Sequence, residues 1–202
     1  MELFRLMVAV IGVSVASAFF FRSGTPVATA DDREVEESCL ALADAGSCDF
    51  YTCFERRLPC GREWYILKTG HYYCNKMQRH KNSFTPEGQT FIDDAQRCLT
   101  QSLKEVYRRE YIDCHTLEHQ AIESISTCFI ENDFCDVLQA NADKFFRVYE
   151  FSDLFTQGAG KVWRQIVSLA TRCGEQTLRQ VSSGTIDRIS TFFNSLTSSS
   201  RK

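Results

Sequence analysis

Ten cysteines, all between Cys39 and Cys173, constrain this 202-residue chain more than any other feature. What they can do depends on the compartment, and the N-terminus points to one. Arg5 precedes an apolar run from Leu6 to Phe21 that ends at Arg22. A bilayer-spanning helix needs about 20 apolar residues, so the run fits a secretory signal better than an anchor. Small-residue cleavage patterns stand at Ala16-Ser17-Ala18 and at Ala28-Thr29-Ala30. The first directly follows the apolar core Leu6 to Val15, so residues 1–18 are expected to be a signal peptide, with residue 30 as the alternative end. No later segment has the length and apolarity to span a bilayer. The mature chain is therefore expected to be secreted and extracellular, without membrane insertion.

In an oxidising space, an even number of cysteines is expected to close as five intrachain disulfides. Zinc is the other common use of many cysteines, but the chain has no Cys-x-x-Cys pair and none of the paired knuckles of structural zinc sites. Spacing does not choose among the about 945 complete pairings of ten cysteines. Composition sets further limits. With 16 Phe, 7 Tyr, 2 Trp and a net charge of −3, the chain has the material for a buried core. Its 23 Lys and Arg against 26 Asp and Glu exclude a general nucleic-acid binder, which needs a basic excess to neutralise phosphates.

Strand alternation is scarce and helical periodicity recurs, so the expected architecture is all-α, a disulfide-rich helical assembly. A single domain is expected over residues 31–196, opened by the acidic stretch Asp31 to Glu37 and followed by a short polar tail at 197–202. From Pro86 to Tyr111, the stripe positions Phe91, Ala95, Cys98, Leu99, Ser102, Leu103, Val106, Tyr107 and Tyr111 recur at helical spacing. Thr85 then Pro86 reads as N-cap and first turn. A second stripe, Leu117, Ala121, Ile122, Ile125, Cys128 and Phe129, continues toward Cys135, which places Cys128 and Cys135 on one helical face. Later stripes are Val137 to Tyr149, Val162 to Cys173 and Leu178 to Leu196. A helix hairpin turning near residue 113 sets Cys98 opposite Cys128, which makes these two the first expected bridge.

Several local motifs compete for a function. His115-Thr116-Leu117-Glu118-His119 is a literal H-x-x-E-H, in which two imidazoles on one helical face ligate zinc and the glutamate serves as general base. Such a site needs a third ligand, for which Glu150 or Glu175 are the available carboxylates. The simpler reading places His115 and His119 on the polar face opposite Leu117 and Ala121, with no resident metal, no cofactor and no catalytic residue. Gly158-Ala159-Gly160-Lys161 lacks the first glycine and the hydroxyl of a phosphate loop, so it reads as a connector. The pairs Arg56-Arg57 and Arg108-Arg109 read as solvated surface, with processing or acidic-glycan contact as the functional alternative. Amphipathic helices rich in aromatics also permit a saposin-like lipid-binding protein.

Beyond these motifs, the chain resembles the stanniocalcins, secreted disulfide-rich glycoprotein hormones, from about Ser38 to Ile189. The resemblance is carried by Ser38-Cys39-Leu40, by the spacing of Cys39, Cys48 and Cys53, and by Cys114, Cys128 and Cys135. It is carried also by Phe84-x3-Gly88-x2-Phe91-Ile92-x-Asp94-x2-Arg97-Cys98 and by Cys173-Gly174-Glu175. It implies that Cys39 joins Cys53, Cys48 joins Cys74, Cys60 joins Cys114, Cys98 joins Cys128 and Cys135 joins Cys173. It further implies a non-enzymatic regulator acting by protein binding, either in calcium and phosphate homeostasis or as an inhibitor of a pappalysin-type metalloprotease. The implied partner is a receptor or such a protease, and the segment Phe84, Gly88, Phe91, Asp94 and Arg97 is the expected contact. Family members dimerise through a further cysteine; here no cysteine follows Cys173, so the expected homodimer is noncovalent. The family's N-x-[ST] glycan acceptor is also missing from this sequence.

Overall fold

A computed structural model describes residues 26–150, 153 and 160–173. The expected signal peptide, the stripe from Leu178 to Leu196 and the tail at 197–202 lie outside the described residues. What is described is helical, as expected, with five disulfides. The chain runs β1 (Val27–Thr29), α1 (Glu37–Asp44) and α2 (Asp49–Arg57). A turn of π-helix (Ile66–His71) then leads directly into α3 (Tyr72–His80), and a 3-10 turn (Lys81–Ser83) leads to α4 (Pro86–Ser102). The short α5 (Lys104–Tyr107), β2 (Tyr111–Asp113), α6 (Cys114–Glu131), α7 (Phe134–Val148) and α8 (Gly160–Arg172) complete it. The bonds are Cys39–Cys53, Cys48–Cys74, Cys60–Cys114, Cys98–Cys128 and Cys135–Cys173.

Two core clusters divide the molecule. One joins α1, α2 and the π-turn to residues 103–121, around Phe50, Phe54 and Tyr107. The other joins α3, α4, α7 and α8 around Phe91, Phe129, Phe134 and Phe145. Helix α6 serves both, because Leu117 and Ala121 face the first while Ile125 and Phe129, one and two turns on, face the second. Ile122 packs against both.

Two helices are shorter than their apolar stripes predict. The stripe expected to run from Pro86 to Tyr111 breaks after Ser102, where Leu103 N–H bonds back to Thr100 O at 3.2 Å and tightens the last turn. The Thr100 hydroxyl is turned to Ala43 O at 2.6 Å, so the end of α4 is tied to α1 instead of to a further turn. The stripe expected to continue from Cys128 to Cys135 also breaks. Asp133 takes a left-handed conformation (φ 59°), which short polar side chains tolerate, and Asn132 Nδ2 caps Cys128 O at 2.7 Å. Cys128 and Cys135 thus lie on different helices and take different partners.

Strands β1 and β2 pair antiparallel, Val27 with Asp113, Ala28 with Ile112 and Thr29 with Tyr111. Ala28 and Ile112 point into the core and their neighbours outward. Strands of three residues are too short for alternation to register in the sequence. Since Ala28 and Ala30 are both buried, a chain cleaved after residue 30 would lose this ribbon and its core contacts.

Arg57 locks the ribbon to α2. It reads in the sequence as half of a solvated dibasic pair, but it is only 3% exposed, because it shares the face of Phe50, Cys53 and Phe54. Its guanidinium donates to Arg33 O (2.9 Å), Tyr107 O (2.6 Å), Arg109 O (2.5 Å) and Glu110 Oε1 (2.9 Å). It also lies 5.5 Å from the Tyr107 ring centroid. In the second cluster Lys76 Nζ is buried against Asp153 Oδ2 at 2.9 Å. Burial disfavours the ammonium, but the Asp153 carboxylate and the Tyr72 hydroxyl more than offset this, so the Lys76 pKa lies above the ordinary lysine value.

The π-turn depends on Gly70. A Cβ there would lie 2.5 Å from Cε1 of the buried Tyr51, so helix α2 and the π-turn approach closely only at a glycine. Replacing Gly70→Ala is expected to destabilise the oxidised protein by about 1–3 kcal/mol through overpacking, measured by denaturant unfolding. Arg57→Lys keeps the charge but loses the fork, and is expected to cost about 2–4 kcal/mol in the same assay.

Candidate functional site

The segment Phe84 to Cys98, which carries the Phe-Gly-Phe-Cys pattern, leads into the N-terminus of α4. Thr85 caps it, its Oγ1 accepting from Gly88 N at 3.2 Å, and Pro86 occupies the first turn as expected. Asn141 of α7, fully buried, accepts from Thr85 N at 2.8 Å and donates to Thr85 Oγ1 at 3.1 Å and to Val137 O at 3.0 Å. Gly88 admits this amide, since a Cβ there would come within 2.9 Å of Asn141 Nδ2. Phe84 packs edge-on against Phe145, and Phe91 contacts Phe129, Phe134 and Phe145.

This packing divides the five expected contact residues. Phe84, Gly88 and Phe91 are buried in this chain, where they fix α4 on α7. Asp94 and Arg97 stand on the opposite, accessible face, paired with each other at 2.8 Å. They line an open groove of about 550 Å³ with Cys98, Gln101 and Ser102 of α4, Glu131 of α6 and Asn132. The Cys98–Cys128 bond forms its base by holding the two helices together. Behind it, Gly46 (φ 68°) ends α1 so close to α4 that a Cβ would lie 2.9 Å from Arg97 N. Sequence reasoning missed Gln101, Ser102, Glu131 and Asn132; Glu131 and Asn132 lie some thirty residues from Arg97 and join it only through the disulfide-bonded helix pair.

The H-x-x-E-H motif opens α6, which Asp113 caps by accepting from Thr116 N at 2.7 Å. His115 and His119 are exposed on the polar face, opposite Leu117 and Ala121. Glu118, cast as general base, forms an ion pair with Lys161 of α8. His119 Nδ1 lies 3.4 Å from Glu123. Among the described residues no three His, Cys, Asp or Glu side chains converge as a metal site. Glu150 instead approaches Lys76 at 3.5 Å, and Glu175 lies outside the described residues. Lys161, which ends the glycine-rich tetrapeptide, is the partner of Glu118 at the start of α8.

An apolar cavity of about 40 Å³ lies where α2, α3, α4 and α6 meet, walled by Tyr51, Tyr65, Tyr73, Tyr149, Met77 and Ile92. Ligand pockets run to about 300 Å³ and above, so this space is too small for a lipid chain. Burial pushes the Tyr51, Tyr65, Tyr73 and Tyr149 phenols well above the ordinary tyrosine range, and they stay neutral. No described helix is long and apolar enough to cross a membrane.

Comparison with known proteins gives a family match. The model of the Stanniocalcin family matches residues 21–202. Stanniocalcin-2 of Mus musculus is 23% identical over 145 residues, covering 72% of this chain and 46% of that protein. Stanniocalcin-2 of Homo sapiens is 23% identical over 140 residues, covering 69% of this chain and 43% of that protein. The chain therefore spans less than half the length of these curated relatives.

The division between core and groove is measurable. Asp94→Ala or Arg97→Ala is expected to cost no more than about 1 kcal/mol, as for an exposed ion pair. Phe91→Ala is expected to cost about 3–5 kcal/mol by opening a cavity among the rings of Phe129, Phe134 and Phe145, read by the same denaturant titration.

Proposed function

The chain belongs to the stanniocalcin family, and on that premise we propose that it is a secreted regulator that acts by binding another protein through the Asp94–Arg97 groove. The target is a pappalysin-type metalloprotease, whose cleavage of its substrate it blocks; a receptor in calcium and phosphate homeostasis is the second target class that the family resemblance implies. The observation that carries the reading is the groove itself. It is an accessible surface lined by polar side chains, built on the motif-bearing helix α4 and braced by the Cys98–Cys128 bond. Rigidity favours binding, because a surface already ordered loses little conformational entropy on docking.

All ten cysteines are paired within the chain, so none is left for an intermolecular bond. The homodimer proposed for this protein is accordingly noncovalent. The H-x-x-E-H reading is disfavoured by the engagement of Glu118 with Lys161.

The test adds the purified, unreduced protein to a pappalysin digest of an insulin-like growth factor binding protein. Inhibition is expected, and Asp94→Ala/Arg97→Ala is expected to weaken it at least tenfold while leaving unfolding nearly unchanged. Full inhibition by that variant would remove the groove from the interaction. Native mass spectrometry of the same sample is expected to show a metal-free dimer that separates into monomers on denaturation. Stoichiometric zinc, with proteolysis abolished by His115→Ala, would replace the binding reading with an enzymatic one.

A further inference from the structure

The basic residues are unevenly distributed in a chain of net charge −3. Residues 61–83 contain Arg62, Lys68, His71, Lys76, Arg79, His80 and Lys81 against one acid, Glu63. The structure separates these by role. Lys76 is buried on Asp153, and Lys81 is paired with Asp93. Arg62, Lys68 and His71 instead line an open groove of about 480 Å³, with Thr52 of α2 on one side and Leu67 and Tyr72 on the other. Glu63 is the single acid lining it, 3.1 Å from Lys68 and highly exposed. Among the described residues Arg62 forms no ion pair, and neither does Arg79.

The same face continues along the helix. Lys68, His71, Asn75 and Arg79 follow at spacings of three and four, and Asn75 Nδ2 donates to His71 O at 2.8 Å across that turn. Eleven residues from Lys68 to Arg79 span about 16 Å of helix axis, with Arg62 at one end of the row and Arg79 at the other. The wall is also rigid: the Tyr72 hydroxyl donates to Asp153 at 3.0 Å, and the Tyr72 ring lies against the buried Lys76. Arg62, Lys68 and Arg79, with the His71 imidazole and the Asn75 amide between them, stand beside a fixed aromatic ring and match a ligand with repeating anions and flat, weakly polar faces between them. A sulfated sugar chain has this form: sulfates take charge-assisted hydrogen bonds from guanidinium and ammonium groups, and pyranose faces stack on tyrosine.

We propose that the groove formed by Arg62, Lys68, His71 and Tyr72, extended along the helix to Arg79, binds a sulfated polysaccharide of the extracellular matrix. The site is separate from the Asp94–Arg97 groove, with which it shares no lining residue. The proposal uses the extracellular location but does not depend on the protein target. It accounts for Arg62 and Arg79, which form no ion pair among the described residues, on a face where Lys68 is held only by the exposed Glu63.

The test measures the full, oxidised chain on immobilised heparin by surface plasmon resonance. Saturable binding that weakens steeply with NaCl is expected, since each neutralised sulfate releases counterions. Arg62→Ala/Lys68→Ala/Arg79→Ala is expected to raise the Kd at least tenfold, and Arg108→Ala/Arg109→Ala to leave it within twofold. Thiol titration of each variant, expected to find none free, separates loss of the site from loss of the fold. Unchanged heparin affinity in the triple variant would overturn the proposal. Equal binding of desulfated heparin would also overturn it, and equally effective competition by polyglutamate would reassign the face to acidic peptides. A triple variant that loses heparin but still inhibits the protease separates this site from the proposed function.

Discussion

The Cys98–Cys128 bond between α4 and α6 is the constraint on which the rest of the molecule is arranged. These are the two longest helices described; α6 contributes to both core clusters and α4 to the second. Fixing them side by side sets where α1 meets the end of α4, where α7 crosses its start and where α8 lies along α6. The other bonds then secure the periphery. Cys60–Cys114 anchors the loop after α2 to the start of α6, Cys48–Cys74 joins the first cluster to α3, and Cys135–Cys173 ties α8 to α7. Bridged residues lie 14 to 54 positions apart, so in the chain-entropy picture each bond stabilises by about 3–4 kcal/mol.

Polar groups buried in the core make this arrangement specific. Apolar contact between helices is tolerant of sliding, whereas a buried hydrogen-bonding group is satisfied in one register only. Asn141 meets Thr85 in one placement of α7 on α4, and Thr100 meets Ala43 O in one placement of α1. Arg57 gathers three carbonyls and a carboxylate from segments that are far apart in sequence. Removing any of these would leave a buried polar group without its partner, which is costlier than the bond itself is favourable.

The family-like motif divides between the core and the surface of α4. The Phe84–Gly88–Phe91 pattern is visible because packing demands it: an aromatic just before the helix, then a residue without a side chain and a second aromatic on the helix's core face. Asp94 and Arg97 stand on the reverse side of the same helix and line an open groove with Glu131 of α6. The cationic face along the π-turn and α3 is a second such surface, displayed by the helix whose inner side carries Tyr73 and Met77. In both, the core face sets the geometry of the exposed one.

Much of this was legible in the chain itself. Helical periodicity, the Thr85-Pro86 helix start and the even cysteine count are local properties: they depend on residues a few positions apart and on the chemistry of thiols in an oxidising space. The pairing of Cys98 with Cys128 is local in the same sense, because two helices of comparable length around one turn place equidistant residues together. Other features were decided only in three dimensions. The apolar stripes through Ser102 and Asn132 continue in the sequence although the helices stop, since a hydroxyl turned to α1 and a left-handed Asp133 outweigh periodicity. Arg57 is buried because carbonyls from distant segments converge on it, and Gln101 meets Glu131 only across a disulfide-bonded helix pair. The sequence alone determined which residues seek the interior and which thiols are present to bond. The tertiary structure decided which of them meet, because burial, hydrogen-bond satisfaction and helix ends depend on neighbours that are close in space and distant along the chain.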